Sequence, residues 1–164
     1  MSSSTPRGRL LAASVLFASS FALAGCSLFG GAGGGTATPS ASPGDTTDVF
    51  TIKVGDCLND AAVEGEVSTV PTVDCAQPHD SEAFASILMT DAAFPGADAV
   101  KKQSETGCTA KFNTFVGVDY GTSKLDYSYY YPTAESWAQN DREILCLIAD
   151  PAKKTTGSLK GAAR

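Results

Sequence analysis

The only histidine in this 164-residue chain lies in a compact polar run, Cys75-Ala76-Gln77-Pro78-His79-Asp80-Ser81-Glu82. An imidazole close to carboxylates can act as a general base, so His79 with Asp80 and Glu82 is the first place to look for catalysis. A small cell-wall hydrolase using His79 and Glu82 is the enzyme such a run would make. The pattern is incomplete: no nucleophile with an orienting third group accompanies it, and neither Gly-x-Ser-x-Gly nor Ser-x-x-Lys occurs. The preferred reading of His79 is architectural, with its ring hydrogen-bonding backbone at a corner that Pro78 stiffens.

Five cysteines carry the other chemistry. No two of them form a Cys-x-x-Cys pair, which disfavours a zinc site or a thioredoxin-like redox centre. Cys26 stands apart from Cys57, Cys75, Cys108 and Cys146, and an even set in an oxidising compartment points to two disulfides. Four cysteines allow three connectivities, and the spacing leaves the choice open. Cys57 with Cys75 and Cys108 with Cys146 is the preferred pairing, because the first would tie neighbouring strands and the second would staple a helix to the strand it covers. Further along, Tyr120, Tyr127, Tyr129, Tyr130, Tyr131 and Trp137 could form a sugar-stacking or peptide-binding face, although alternation assigns half of the tyrosine run to the core. Asp141-Arg142 reads as a surface ion pair of little energetic worth. As candidate recognition residues, His79, Glu82, Trp137 and Arg142 remain. No cofactor or metal is expected.

Cys26 closes an export signal. Arg7 and Arg9 precede an uncharged run of Leu, Ala, Val, Phe and Ser to Gly25, too short and too rich in serine for a membrane span. Leu23-Ala24-Gly25-Cys26 is similar to the bacterial lipobox. That resemblance implies a diacylglyceryl group on the Cys26 thiol, cleavage of residues 1–25, and acylation of the new amino terminus by a chain such as palmitate. Two acyl chains anchor stably where one binds only marginally. The expected address is the extracytoplasmic face of the cell membrane, with the bilayer as first partner. Removal of Arg7 and Arg9 with the signal leaves 10 basic against 18 acidic residues, a charge of −8. A nucleic-acid partner is thereby disfavoured.

Residues 26–47 read as the lipidated cysteine and a Gly/Ser/Pro linker of about 25 Å end to end. The domain is expected over 48–164. Phe50, Ile52 and Val54 alternate as a first half-buried strand, and Val67 to Cys75 forms a second that Pro71 confines to an edge or bulge. Residues 84–89, apolar on nearly both faces, suit a central third strand. After Pro95-Gly96, Val100, Ser104, Cys108, Phe112, Phe115 and Val116 share one helical face, with Gly107 weakening the helix and Gly117 ending it. Leu125 to Tyr131 supplies a fourth strand, Pro132 to Trp137 a short capped helical turn, and Glu143 to Ala149 a buried fifth. The tail at Gly157-Ser158-Leu159 is expected to add a brief edge pairing and then fray. The fold class is α+β: a small, mainly antiparallel sheet with one long helix and two disulfides.

Taken together, Val54-Gly55-Asp56-Cys57, Cys75-x-x-Pro78-His79-x-x-Glu82, the helical Cys108, Pro132-x-x-x-x-Trp137, Asp141-Arg142-x-x-x-Cys146 and Thr156-Gly157-Ser158-Leu159 resemble the septum-formation domain of actinobacterial exported and membrane proteins. Asn140 departs from the pattern, which has glycine before the acid-Arg pair. The resemblance implies a link to cell division or envelope growth and brings no catalytic residues. The functional expectation is a non-enzymatic envelope module that binds division or envelope proteins or cell-wall material. A small solute-binding lipoprotein is disfavoured, since such receptors usually close two domains around their ligand.

Overall fold

The computed structural model describes residues 46–164. The signal segment 1–25, Cys26 and the linker through residue 45 lie outside the described residues. Six strands form one curled antiparallel sheet: β1 (Thr46–Asp48), β2 (Cys57–Leu58), β3 (Thr69–Val73), β4 (Ser81–Leu88), β5 (Asp126–Tyr130) and β6 (Glu143–Ala149), in the order β1-β3-β2-β4-β6-β5. Between β4 and β5 runs α1 (Ala97–Val116), and between β5 and β6 lies the single turn of α2 (Ala134–Ala138).

β4 and β6 form the spine. They pair from Ser81 with Ala149 to Leu88 with Glu143, broken by a bulge between Ala83 and Ala85. Because strand side chains alternate between faces, β6 splits its apolar residues between two cores. Ile144, Cys146 and Ile148 pack under α1 with Phe84, Phe112 and Trp137. Leu145 and Leu147 face the opposite side, where Ile52, Leu58, Val70 and Ala83 cover them. The bulge puts Phe84 and Ala85 consecutively into the helix-side core. Downstream of it, Ser86 and Leu88 are left on the far face.

The helix forms as its periodicity predicts. Val100, Ser104, Cys108, Phe112 and Val116 are buried, Phe115 is half-buried, and Gly117 at φ 90° terminates the last turn by donating to the Asn113 carbonyl at 3.0 Å. Gly107 does more than weaken the helix, since a Cβ there would collide with the Ile87 side chain of β4. Glycine thus lets helix and sheet approach closely. One residue on, Cys108 bonds Cys146 of β6, and Cys57 of β2 bonds Cys75 just beyond β3. The preferred pairing is the one formed.

Three expectations are corrected. The strand that holds Pro71 is not at an edge: β3 lies between β1 and β2, with Pro71 opposite Thr46 of β1. Phe50, Ile52 and Val54 do not make a strand: Val49–Thr51 is a 3-10 turn, and only Ile52 of the three is buried. Local side chains outcompete a ladder there. Asp48 accepts from the Phe50 N–H at 3.0 Å and Asp56 from the Lys53 N–H at 2.8 Å. Nor does the tail fray. Thr155 exchanges backbone hydrogen bonds with His79, Gly161 and Ala163 donate to the Phe115 and Val116 carbonyls, and Arg164 reaches Asp150 at 2.8 Å. Those two carbonyls belong to the last turn of α1, whose acceptors have no partner within the helix.

Asn140 adopts φ 72°, the left-handed conformation that glycine takes most easily and asparagine tolerates. A glycine and an asparagine at this point are therefore two solutions of the same turn. Asn140→Gly should leave thermal stability nearly unchanged, whereas Asn140→Val should lower it by about 1–2 kcal/mol. A thermal melt of the two variants beside the parent checks both.

Candidate functional site

The Cys75–Glu82 corner lies where β2, β4 and the tail converge. Glu82 sits on β4 opposite Cys57 of β2 and Ile148 of β6, and is 3 % exposed. Both of its carboxylate oxygens are occupied: the Ser158 hydroxyl donates to Oε1 at 2.6 Å and the Leu159 N–H to Oε2 at 2.7 Å. A carboxylate this dry is tolerated only when such donors replace water. The tail returns across the sheet to supply them.

His79 is fully buried. A carbonyl can only accept, so the 2.8 Å contact with Gln77 O places the proton on Nδ1. The backbone N–H and C=O of His79 are both spent on Thr155, at 2.9 Å each. Its Nε2 has no hydrogen-bond partner among the described residues, nor does the Thr155 hydroxyl. Neither His79 nor Glu82 hydrogen-bonds the other; His79 is tied to the tail through its backbone and Glu82 through its carboxylate. Asp80, the third member of the apparent acid-base set, forms an ion pair with Lys154 at 3.0 Å.

Asp60 gave no signal in the sequence, yet it ties three elements together. It accepts from Ser81 Oγ on β4 at 2.7 Å and from the Tyr130 hydroxyl on β5 at 3.0 Å. Burial and then the Asp60 charge raise the Tyr130 pKa. Only the neutral phenol can donate to that carboxylate.

Trp137 and Arg142 meet each other directly. The guanidinium lies 3.8 Å from the indole centroid, and its Nη1 donates to the Trp137 and Asp141 carbonyls at 2.8 and 2.6 Å. Trp137 is 6 % exposed and packs edge-on against Phe94. Asp141 is not paired with Arg142; its carboxylate accepts from Ser136 Oγ and the Glu143 N–H. The pair thus braces the α2–β6 turn.

Tyr120, Tyr127, Tyr129 and Tyr131 pack in series against the helix-side core, with neighbouring ring centroids 4.7, 6.5 and 5.7 Å apart. All four residues are only half-buried. The Tyr120 hydroxyl donates to Asp126 at 2.7 Å, and this bond, reinforced by partial burial, pushes its pKa up to about 12. Tyr129 is raised as well, by burial and then by Glu105. The row is half core and half rim. Sequence reasoning missed another surface: Phe50, Val54 and Leu88 are large apolar side chains left exposed, and the first two line a shallow cleft with Glu143.

Family comparison places this architecture. A septum-formation family model matches residues 53–164, from the segment before Cys57 to the end of the docked tail. The chain belongs to the septum-formation family. No curated protein and no solved structure gives a match.

Two outcomes follow from the geometry. Glu82→Ala leaves two donors of the tail without their acceptor, and should cost about 2–3 kcal/mol while exposing the segment after Thr155 to limited proteolysis. A protease-resistant tail in that variant would show that Glu82 does not hold it. For Tyr120, a folded pKa above the reference value of 10.0 means that the native state retains the proton. Its contribution to stability is complete below pH 10 and lost as pH rises toward about 12. Denaturation across that window should show a shallower loss for Tyr120→Phe than for the parent.

Proposed function

We propose that this protein is a lipid-anchored, extracytoplasmic envelope module that serves septum formation by binding rather than by catalysis. The family match over residues 53–164 is the observation that carries the division-related role. The lipobox-like Leu23-Ala24-Gly25-Cys26 supports the anchor at Cys26, and the acidic exported chain suits a protein or wall partner better than a polyanion. The positions of His79 and Glu82 support a non-catalytic reading. A general base must have a lone pair within reach of a substrate proton, whereas both Glu82 oxygens are taken by the tail and the His79 ring is buried.

On this reading the disulfides give the domain the stiffness of an extracellular binding scaffold. They close segments of 18 and 38 residues, each contributing on the order of 3–4 kcal/mol through the unfolded chain. The linker holds the domain near the membrane and raises its effective concentration toward any partner there.

Crosslinking in the native membrane, with identification of the captured protein or wall fragment, tests the binding role. Labelled fatty acid should enter the parent and not Cys26→Ser, and that variant should remain unprocessed or be released. Incorporation into Cys26→Ser would sink the anchor. Wall-degrading activity that vanishes in His79→Ala while the fold persists would replace the binding module with a hydrolase.

A further inference from the structure

We infer that the open edge of β4 at Ser86–Leu88, with the cleft beside it, receives an extended basic polypeptide segment that joins the sheet as an added strand. This deepens the proposed binding role by naming the surface and the class of partner.

The edge is exposed because β2 is so short. β2 pairs only with Ser81 and Glu82 of β4, and the neighbouring Gly55 and Asp56 extend the contact no further than Ala83. Gly55, at φ 101°, turns the preceding segment away from β4. On the other side of β4, Met89 N–H donates to the Arg142 carbonyl at 2.8 Å, which fixes the phase of the ladder with β6. Bonded and non-bonded pairs alternate in an antiparallel ladder. Ile87 is therefore bonded to Ile144, whereas Ser86 and Leu88 turn their backbone N–H and C=O groups outward, to the side β2 has left. Among the described residues, no backbone group pairs with them there. Leu88 is 72 % exposed. Natural sheets normally blunt such an edge with charge, proline or a covering element, and none of these stands at Ser86 to Leu88.

The cleft runs alongside. It has a volume of about 560 Å³ and is lined by Phe50, Thr51, Ile52, Lys53, Val54 and Glu143. Phe50 and Val54 are 58 % and 52 % exposed, and Glu143 is the cross-strand neighbour of Leu88. Outward backbone groups flanked by apolar side chains are what an incoming strand uses, main chain for affinity and alternate side chains for selectivity.

Charge selects the occupant. Glu143 accepts from Ser86 Oγ and has no cation within ion-pair distance among the described residues. Lys53 on the cleft wall offsets Glu143, and residues 46–164 as a whole carry 17 acidic against 10 basic side chains, so it is the net field of the domain that favours a cationic segment. The chain's own linker does not supply one: residues 27–45 contain no lysine or arginine and are interrupted by Pro39 and Pro43. Proline cannot donate to a ladder. The occupant is thus a segment of another protein, alternating apolar and basic residues.

The full chain carrying Cys26→Ser, titrated with the synthetic peptide acetyl-Thr-Val-Lys-Val-Lys-Val-Thr-amide, provides the test. The amides of Ser86 and Leu88 should shift and exchange more slowly with solvent, and the Val54 methyls should shift with them. Methylating alternate peptide nitrogens, replacing both lysines by glutamate, or substituting Leu88→Arg in the protein should each weaken binding by about tenfold or more, the last without lowering the melting temperature. The idea is overturned by silence at millimolar peptide, by shifts confined to another face, or by equal binding of the methylated peptide. A doubled mass of the free chain that Leu88→Arg abolishes would overturn it in favour of a second copy on this edge. The same resonances moving only with phosphatidylglycerol vesicles would overturn it in favour of a lipid surface. Since Cys26→Ser bears no lipid, failure of the anchor leaves this result standing, and failure here leaves the anchored, division-related reading intact.

Discussion

The run Ile144 to Ile148 must be dry on both faces, and much of the architecture follows from how that is achieved. A strand apolar on alternate faces can be covered by one layer, but β6 is apolar on every residue of its centre and needs two. α1 supplies one. The other is improvised from Ile52, Leu58, Val70 and the curled β1–β3 ribbon, which has no α-helix. A short chain with so divided a core buries a modest fraction of its surface. Each cover is accordingly fixed by a covalent bond: Cys108 to the strand beneath α1, and Cys57 to the end of β3 on the side where β2 is only two residues long.

The same constraint accounts for the buried carboxylate. Glu82 enters a region from which water has been excluded, and an ionised group there costs several kcal/mol unless it is matched. The matching donors lie 76 and 77 residues downstream, in the tail. The tail thereby becomes part of the fold: its Thr155 pairs with the corner at His79, its Leu159 fills the helix-side core, and its Gly161 and Ala163 finish α1. The acid and the histidine that suggest a general base in one dimension both hold the tail in three dimensions.

What the sequence made legible is what depends on period and on local stereochemistry. The α1 face, the central position of β4 and β6, the Thr133 cap of α2 and the stop at Gly117 are of this kind. The segment Phe50 to Val54 was misread because its period of two is produced by one buried residue, Ile52, between two exposed ones, and alternation records spacing, not direction. Asp60 and the docked tail were invisible for another reason. Their partners, Tyr130 and Glu82, are 70 or more residues away, and no local pattern encodes such a match. The glycine missing at position 140 was legible as a departure, and the left-handed φ of Asn140 explains why it is harmless.

Much of the polar inventory of this fold goes into holding it together, and the surface left over is set by the same contacts. The bulge at Ala83–Ala85 illustrates the exchange. By placing Phe84 and Ala85 together under the helix it completes one core, and it thereby turns Ser86 and Leu88 onto the face that the short β2 leaves open. A β2 that continued in register back through Lys53 to Thr51 would have closed that edge; the turn at Gly55 and the local hydrogen bonds of Asp48 and Asp56 prevent it. The unsatisfied strand edge and the exposed Phe50 and Val54 thus have a common cause in the backbone between Asp48 and Cys57. Where so much else is cross-braced, this edge is kept open by specific contacts of the backbone beside it, which is the condition that the proposed strand addition requires.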